Sequence, residues 1–330
     1  MGKIKIAQIG TSKNSHGNPI FASIKRQSHI FEMVGCAFPE NEKEKFPDLV
    51  EAFAECREMT VEEILNNKEI EAVIIETEEI YLTKYALLAA KAGKHIHMEK
   101  PGGLDHTLFE EMIETVKAKN LVFHTGYMYR YNPSVMQVLK DVKEGKYGEI
   151  QSVEAQMSCW QKPELRQWLS TFPSGMLYFL GCHLIDLIYQ IQGEPEEIIN
   201  LSASTGFDGI HNIDQGMVAL RYKNGVSFAK TSGVERGGFE RRQLVITGSK
   251  GTVEVNPLEI GLPDSQTTRV REYFSEQWRD QSIISECEPN YRFDSMLASF
   301  AQMVAGEKTN PYTPDYELRL HKLITKCCNK

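Results

Sequence analysis

The sequence predicts an α/β domain with a doubly wound parallel sheet of the Rossmann type, followed by an α+β domain built on a mainly antiparallel open sheet. Three observations carry this expectation. Short apolar strand patterns alternate with helical patterns from the N-terminus to about residue 125, as consecutive βαβ units require. Beyond that point strand-like runs follow one another with few helical patterns between them. Two pairs of those runs meet across tight-turn sequences, Lys223-Asn224-Gly225 and Gly248-Ser249-Lys250-Gly251, so their strands should be antiparallel. A chain of 330 residues is long enough for two cores, and the change of pattern puts the boundary between 1–124 and 125–330.

Residues 3–9 read as the first strand, Gly10 to Gly17 as a loop, and the pattern after Pro19 as a helix. A helix that starts behind such a loop presents free N–H groups and a positive dipole end to a phosphate. Of the glycines in Gly-x-Gly-x-x-Gly, the loop keeps only Gly10, with Ser12 and Ser15 at the other two places. Residues 31–38 form a second strand, followed by helices expected at 48–57 and 61–66 and an apolar strand at 72–76. A helix ending near Gly93, a strand from His95, a helix from about Asp105 to Lys119 and a strand over 121–125 complete the first domain. In the second, strands are expected at 149–159, 197–204, 214–222, 226–232, 242–247 and 251–255. An apolar helix over 175–191 and helices over 294–305 and 315–326 accompany them.

The formal net charge is −8, and no block of Lys or Arg offers a surface for nucleic acid or an anionic membrane; small molecules are the better partners. The N-terminus runs directly into a strand, with no signal peptide and no apolar run of bilayer length, so the expected location is cytoplasmic. Seven scattered cysteines lack Cys-x-x-Cys spacing, and no metal site is expected.

Candidate chemistry lies where strands of the parallel sheet end, since ligands bind beyond their carboxyl ends. Glu99 and Lys100, before Pro101, occupy such an end, and Thr77 another. Lys100 needs burial or a cationic neighbour to act as a base near neutrality, whereas as a hydrogen-bond donor it needs no shift. Lys13 and His16 bring positive charge to the first loop. The second strand ends Ala37-Phe38-Pro39-Glu40, which specifies neither NAD nor NADP, although Glu40 is placed to reach a ribose. On the helix of the second domain, His183 shares a face with Met176, Phe179, Leu180 and Leu187, and Asp186 lies one turn on. Tyr127 and Arg130 follow the last strand of the first domain as candidate substrate contacts. Trp160 and Trp168 are placed either to line a cleft or to fill the core.

Five stretches together resemble the glucose-fructose oxidoreductase and inositol dehydrogenase (Gfo/Idh/MocA) family over nearly the whole chain. They are Ile9-Gly10-Thr11-Ser12, Glu99-Lys100-Pro101, Gly126 to Pro133, Gly181 to Asp186, and Asn224-Gly225 with Leu244 to Gly251. The resemblance implies NAD or NADP as cofactor and hydride transfer to or from a sugar, cyclitol or related polyol or carbonyl compound. It also implies a homo-oligomer, a dimer or tetramer, assembled through the second domain. Carried over residue by residue, it makes Lys100 the group at the substrate oxygen and Glu99 its neighbour at the nicotinamide. It also makes His183, with Asp186 ending the same element, a substrate-side group, so that Lys100 and His183 are the catalytic candidates. By their position in the first loop and at strand ends, Gly10, Thr11, Ser12, Lys13, His16 and Thr77 join Glu99 and Lys100 around the cofactor, and Tyr127 and Arg130 join the substrate side. One departure stands out: the family often has an Asp four residues before this histidine, and this chain has Phe179. That leaves two other expectations open, a nucleotide-binding sensor or regulatory protein impaired in catalysis, and an NAD-dependent glycoside hydrolase of the same fold.

Overall fold

Residues 2–276 and 281–329 are described by the computed structural model, in which the chain forms two compact units. One unit comprises residues 1–128 with 293–321, the other 129–292 with 322–330. The first of these units runs four residues beyond the expected division at 124/125 and includes 293–321 from near the C-terminus.

In the first unit the strands are β1 (Ile4–Ile9), β2 (Phe31–Ala37), β3 (Ala72–Ile75), β4 (His95–Met98) and β5 (Phe123–Thr125). They lie in the order β2-β1-β3-β4-β5 and pair in parallel throughout. Its helices are α1 (Gly17–Arg26), α2 (Val61–Asn66), α3 (Leu82–Lys91) and α4 (His106–Ala118). The β3 strand is buried on both faces, which is why it reads as an unbroken apolar run. Ile9, Val73, Ile75 and Ile96 share one core with Leu82 and Ala86 of α3 and Phe109 and Met112 of α4. Start signals agree with the sequence: Thr60 and Glu63 form a reciprocal capping box on α2, and Asp105 caps α4 through Leu108 N–H.

The helix expected over 48–57 is instead three short pieces, Glu42–Lys45, Pro47–Val50 and the 3₁₀ turn Glu51–Phe53. Pro47 cannot donate to a continuous ladder, and Phe46 before it adopts φ −135°, outside the helical range. The α7 helix (Asp294–Val304) belongs to this unit and is tied to α1 by Asp294, which accepts from Ser23 Oγ at 2.5 Å and pairs with Arg26 at 2.6 Å.

Under α7, His97 of β4 and His124 of β5 meet Nδ1 to Nδ1 at 2.7 Å beside Phe300. Burial pushes the His97 imidazole down to about 4, partly opposed by Glu99. Its folded value therefore lies below the unfolded value of about 6.5, and the neutral ring favours the native state. That stabilisation is present above pH 6.5 and is lost as pH falls toward 4, by about 3 kcal/mol. Urea unfolding at pH 7 and pH 4.5 should show this drop, and a His97→Leu/His124→Leu protein should lack this component.

The second unit contains α5 (Pro133–Lys143), β6 (Ile150–Ser158), α6 (Gly181–Gln192), β7 (Glu197–Asn200), β8 (Gln215–Tyr222) and β9 (Gly225–Ser232). Strands β10 (Gln243–Gly248), β11 (Gly251–Val255), β12 (Arg269–Tyr273) and β13 (Ile283–Glu286) complete its sheet; the last helix, α8 (Pro314–Cys328), belongs to the first unit up to His321 and to the second from Lys322. The strand order is β13-β12-β11-β10-β6-β9-β8-β7. The tight turns at 223–225 and 248–251 join antiparallel neighbours, while β6 and β9 run parallel, so the sheet is mainly rather than wholly antiparallel. Val153, Ala155, Val218, Leu220, Ala229, Leu244 and Ile246 point to its buried face, on which α6 packs. The expected helix over 175–191 is two: a short turn Met176–Phe179 and then α6 from Gly181.

Candidate active site

In the first unit the site is the rim of carboxyl strand ends. Gly10 leaves β1 at φ +90°, and a Cβ there would lie 2.5–2.8 Å from Thr77 atoms. Only glycine lets the first loop come this close to the end of β3. The Thr77 side chain is fully buried and Lys13 is exposed. Thr11 Oγ1 bonds Asn18 at 2.7 Å, and Ser12 Oγ accepts from the N–H groups of Asn14 and Ser15. The two serines hold the loop that glycines would otherwise form.

His16 closes the loop at the N-cap position of α1. Its Nδ1 lies 3.2 Å from Glu99 Oε2, and the other oxygen of Glu99 lies 3.5 Å from Lys100 Nζ. Glu99 and Lys100 are each about 1% exposed. Burial pushes the Glu99 carboxyl up, but His16 and Lys100 outweigh it and hold the group below the ordinary range. Gly126 makes this possible, since a Cβ there would stand 2.9 Å from Glu99 Oε2. Tyr127 follows, buried at the end of the first unit. Glu40 does not extend toward a ribose position here: it accepts from Lys84 Nζ at 2.6 Å and Tyr85 Oη at 2.7 Å on α3, and these bonds lower its pKa.

Three further acids, unremarked in the sequence, surround this rim. Glu76 is fully buried and accepts from His16 N–H at 3.1 Å. Glu42 is 1% exposed and accepts from Thr11 N–H at 3.0 Å. Glu79 is fully buried near Lys100 and Glu99. Burial pushes Glu42 and Glu79 up to about 8 and Glu76 well above its ordinary value, which favours the neutral form of each. With these acids neutral, the close loop, the α1 N-terminus, His16 and Lys13 fit the phosphates of a dinucleotide.

In the second unit Arg130 and Asp186 form a buried bidentate pair, Nε to Oδ2 at 2.9 Å and Nη2 to Oδ1 at 2.8 Å. Gln190 Nε2 adds a bond to Asp186 at 2.9 Å. Asp186 thus gives both of its oxygens to Arg130. His183 is 1% exposed, and its ring meets the Tyr129 ring edge-on at 5.1 Å. Tyr129 Oη donates to Glu259 Oε2 at 2.6 Å, and Arg242 and Arg292 clamp the same carboxylate at 2.9 and 2.5 Å. Burial, then the Glu259 charge, pushes the Tyr129 hydroxyl up to about 12, so it stays neutral beside His183. Phe179 is buried and meets Trp168 edge-on at 5.6 Å, with Phe172 on the same indole at 4.9 Å; Trp168 therefore packs with aromatic side chains.

Comparison with known proteins gives a consistent picture. A model described as oxidoreductase family, NAD-binding Rossmann fold, matches residues 4–127, and the GFO/IDH/MocA C-terminal domain model matches 135–254. The 2,7-anhydro-N-acetylneuraminate hydratase of Escherichia coli (strain K12) is 24% identical over 210 residues, 61% of this chain but only 55% of that protein. The myo-inositol 2-dehydrogenase of Thermotoga maritima is 24% identical over 232 residues, 67% of this chain and 69% of that protein. Among solved structures, a putative NADPH-dependent oxidoreductase from Desulfitobacterium hafniense superposes with a TM-score of 0.81, at 18% identity over 98% of this chain and 94% of that one.

Proposed function

The chain belongs to the Gfo/Idh/MocA oxidoreductase family, and from that premise we propose that it transfers hydride between NAD or NADP and a sugar, cyclitol or related polyol or carbonyl compound. The observation that carries this reading is the buried Glu99–Lys100 pair at the end of β4, joined to the first loop through His16. A bound nicotinamide nucleotide supplies the hydride acceptor or donor. The chain's own residues supply position and a route for the proton. Lys100 offers an ammonium as donor to a substrate oxygen, polarising a carbonyl or stabilising an alkoxide. Glu99 keeps that amine in place and faces the cofactor together with Gly10, Thr11, Ser12, Lys13, His16 and Thr77. His183, fixed by Tyr129 and its Glu259 clamp, is the second proton-handling group, and Tyr127 contacts substrate. Arg130 and Asp186 serve as positioning residues for this wall, because each already satisfies the other. Phe179 offers no proton acceptor, so proton handling falls to Lys100 in the first unit and to His183 in the second, each taken by itself.

Among the described residues no helix is long and apolar enough to cross a membrane, and we assign the protein to the cytoplasm. Exposed Ile199, Leu201 and Val226 on the large sheet support a homo-oligomer, which light scattering would measure.

Titration of the protein fluorescence with NADH and with NADPH tests the reading. Saturable binding of at least one nucleotide is expected, followed by an absorbance change at 340 nm with some member of a polyol and sugar panel. Binding of neither would overturn it.

A further inference from the structure

Two backbone N–H groups of the first loop are already held by carboxyls of the chain itself. Glu42, just after β2, holds Thr11 N–H at 3.0 Å, and Glu76, just after β3, holds His16 N–H at 3.1 Å. His16 is the N-cap of the ten-residue α1, where free N–H groups and the helix dipole favour an anion. In each carboxyl the second oxygen, Oε1, is buried and, among the described residues, has no hydrogen-bond partner. An oxygen left in that state costs free energy, so these acids are not placed for stability alone. We propose that Glu42 and Glu76 are resident occupants of the phosphate-binding loop that set its nucleotide affinity. A nucleotide phosphate takes the N–H groups of Thr11 and His16 in their place, and the carboxyls remain beside it in neutral form. The proposal rests on the nicotinamide-nucleotide reading above.

Both side chains are about 1% exposed or less, so neither carboxyl can move into water by a simple rotation away from the loop. An ionised carboxylate beside a phosphate would add like-charge repulsion in a poorly screened setting, and the complex must therefore favour the protonated acids. The charged neighbours do not reverse this. Glu76 faces Glu99, which outweighs Lys100, with Glu79 adding to it and His16 meeting it through the backbone N–H, and Glu42 faces Glu78 and Glu40 against Lys45. Burial places the Glu42 titration near 8, which puts the consequence within easy experimental range. A complex that binds more protons than the free protein weakens as pH rises through that value.

The test uses the full chain and NADH, or NADPH if that is the nucleotide selected by the titration above. The wild-type Kd should rise about tenfold or more between pH 7 and pH 9. Glu42→Gln/Glu76→Gln keeps the size of both groups and removes their ionisation. Its own Kd should change by less than about twofold between pH 7 and pH 9, so its affinity relative to wild type should rise about tenfold over that range. A ratio of affinities that stays the same at both pH values would overturn the proposal. Should the double variant not fold, calorimetry of the wild-type protein at pH 8.5 in two buffers of different ionisation enthalpy decides the matter. Net proton uptake supports the proposal, and no exchange or net release overturns it. Absence of nucleotide binding at every pH is a different result, since it removes the cofactor reading itself.

Discussion

Lys100→Ala is expected to lower kcat by about two to four orders of magnitude while nucleotide binding stays within a few-fold of wild type. The amine lies at the end of β4, about 1% exposed, and its 3.5 Å approach to Glu99 holds it in one place. A group so fixed needs no reorganisation to meet charge that develops on a substrate oxygen, which is why its loss should appear in kcat more than in KM. Glu99 keeps its contact with His16 in the variant, so the cofactor side of the rim is retained. Lys100→Met, which preserves the aliphatic stem, separates loss of the charge from loss of packing, and it should be equally inactive. Stopped assays at 340 nm, fluorescence titration and thermal unfolding on the same preparations make the comparison. Full turnover in either variant would remove Lys100 from the chemistry.

What could be read in advance follows from which interactions are local. The five parallel strands were legible because a strand covered on both faces, such as Ala72–Ile75, has to be apolar throughout. The turns at 223–225 and 248–251 announced their antiparallel pairs through their own residues. By contrast, the start of α5, with Asn132 as its cap and Pro133 in its first turn, lies inside a stretch whose Tyr127 and Arg130 point to substrate contacts and mask it. Strands β12 and β13 were also missed. Arg269–Tyr273 mixes charge with apolar residues, and Ile283–Glu286 is exposed throughout, so neither shows a buried stripe. The return of 293–321 to the first unit depends on contacts such as Arg26–Asp294, which span 268 residues and leave no periodicity behind.

The site shows the same limit. Glu99 and Lys100 were visible because a charged pair interrupts an apolar strand end. Glu42, Glu76 and Glu79 were not, because acids beyond strand ends and at the starts of short helical turns ordinarily face water, and only the folded chain shows these three to be buried. The support of His183 was hidden for another reason: Tyr129 and Glu259 are 130 residues apart. Asp186, three residues from His183, pairs with Arg130, a partner 56 residues away that sequence spacing does not announce.

Asp186→Ala should therefore act first on stability, lowering the unfolding free energy by about 3–5 kcal/mol, because it leaves the Arg130 guanidinium buried without its bidentate acceptor. Both side chains are 1–2% exposed, so solvent offers Arg130 no substitute. Replacing both members is a different experiment. Arg130→Met/Asp186→Leu removes the two charges together, and pairs of this kind exchange for apolar residues of similar volume at little net cost. The double variant should recover most of the lost stability in urea unfolding and keep turnover within about tenfold of wild type, since α6 still carries His183 against Tyr129. A double variant that folds with wild-type stability but has lost turnover would assign Arg130 and Asp186 to the substrate instead. The stability arm and the kinetic arm thus separate a positioning pair from a binding pair, a distinction that burial and hydrogen bonding favour in the first sense.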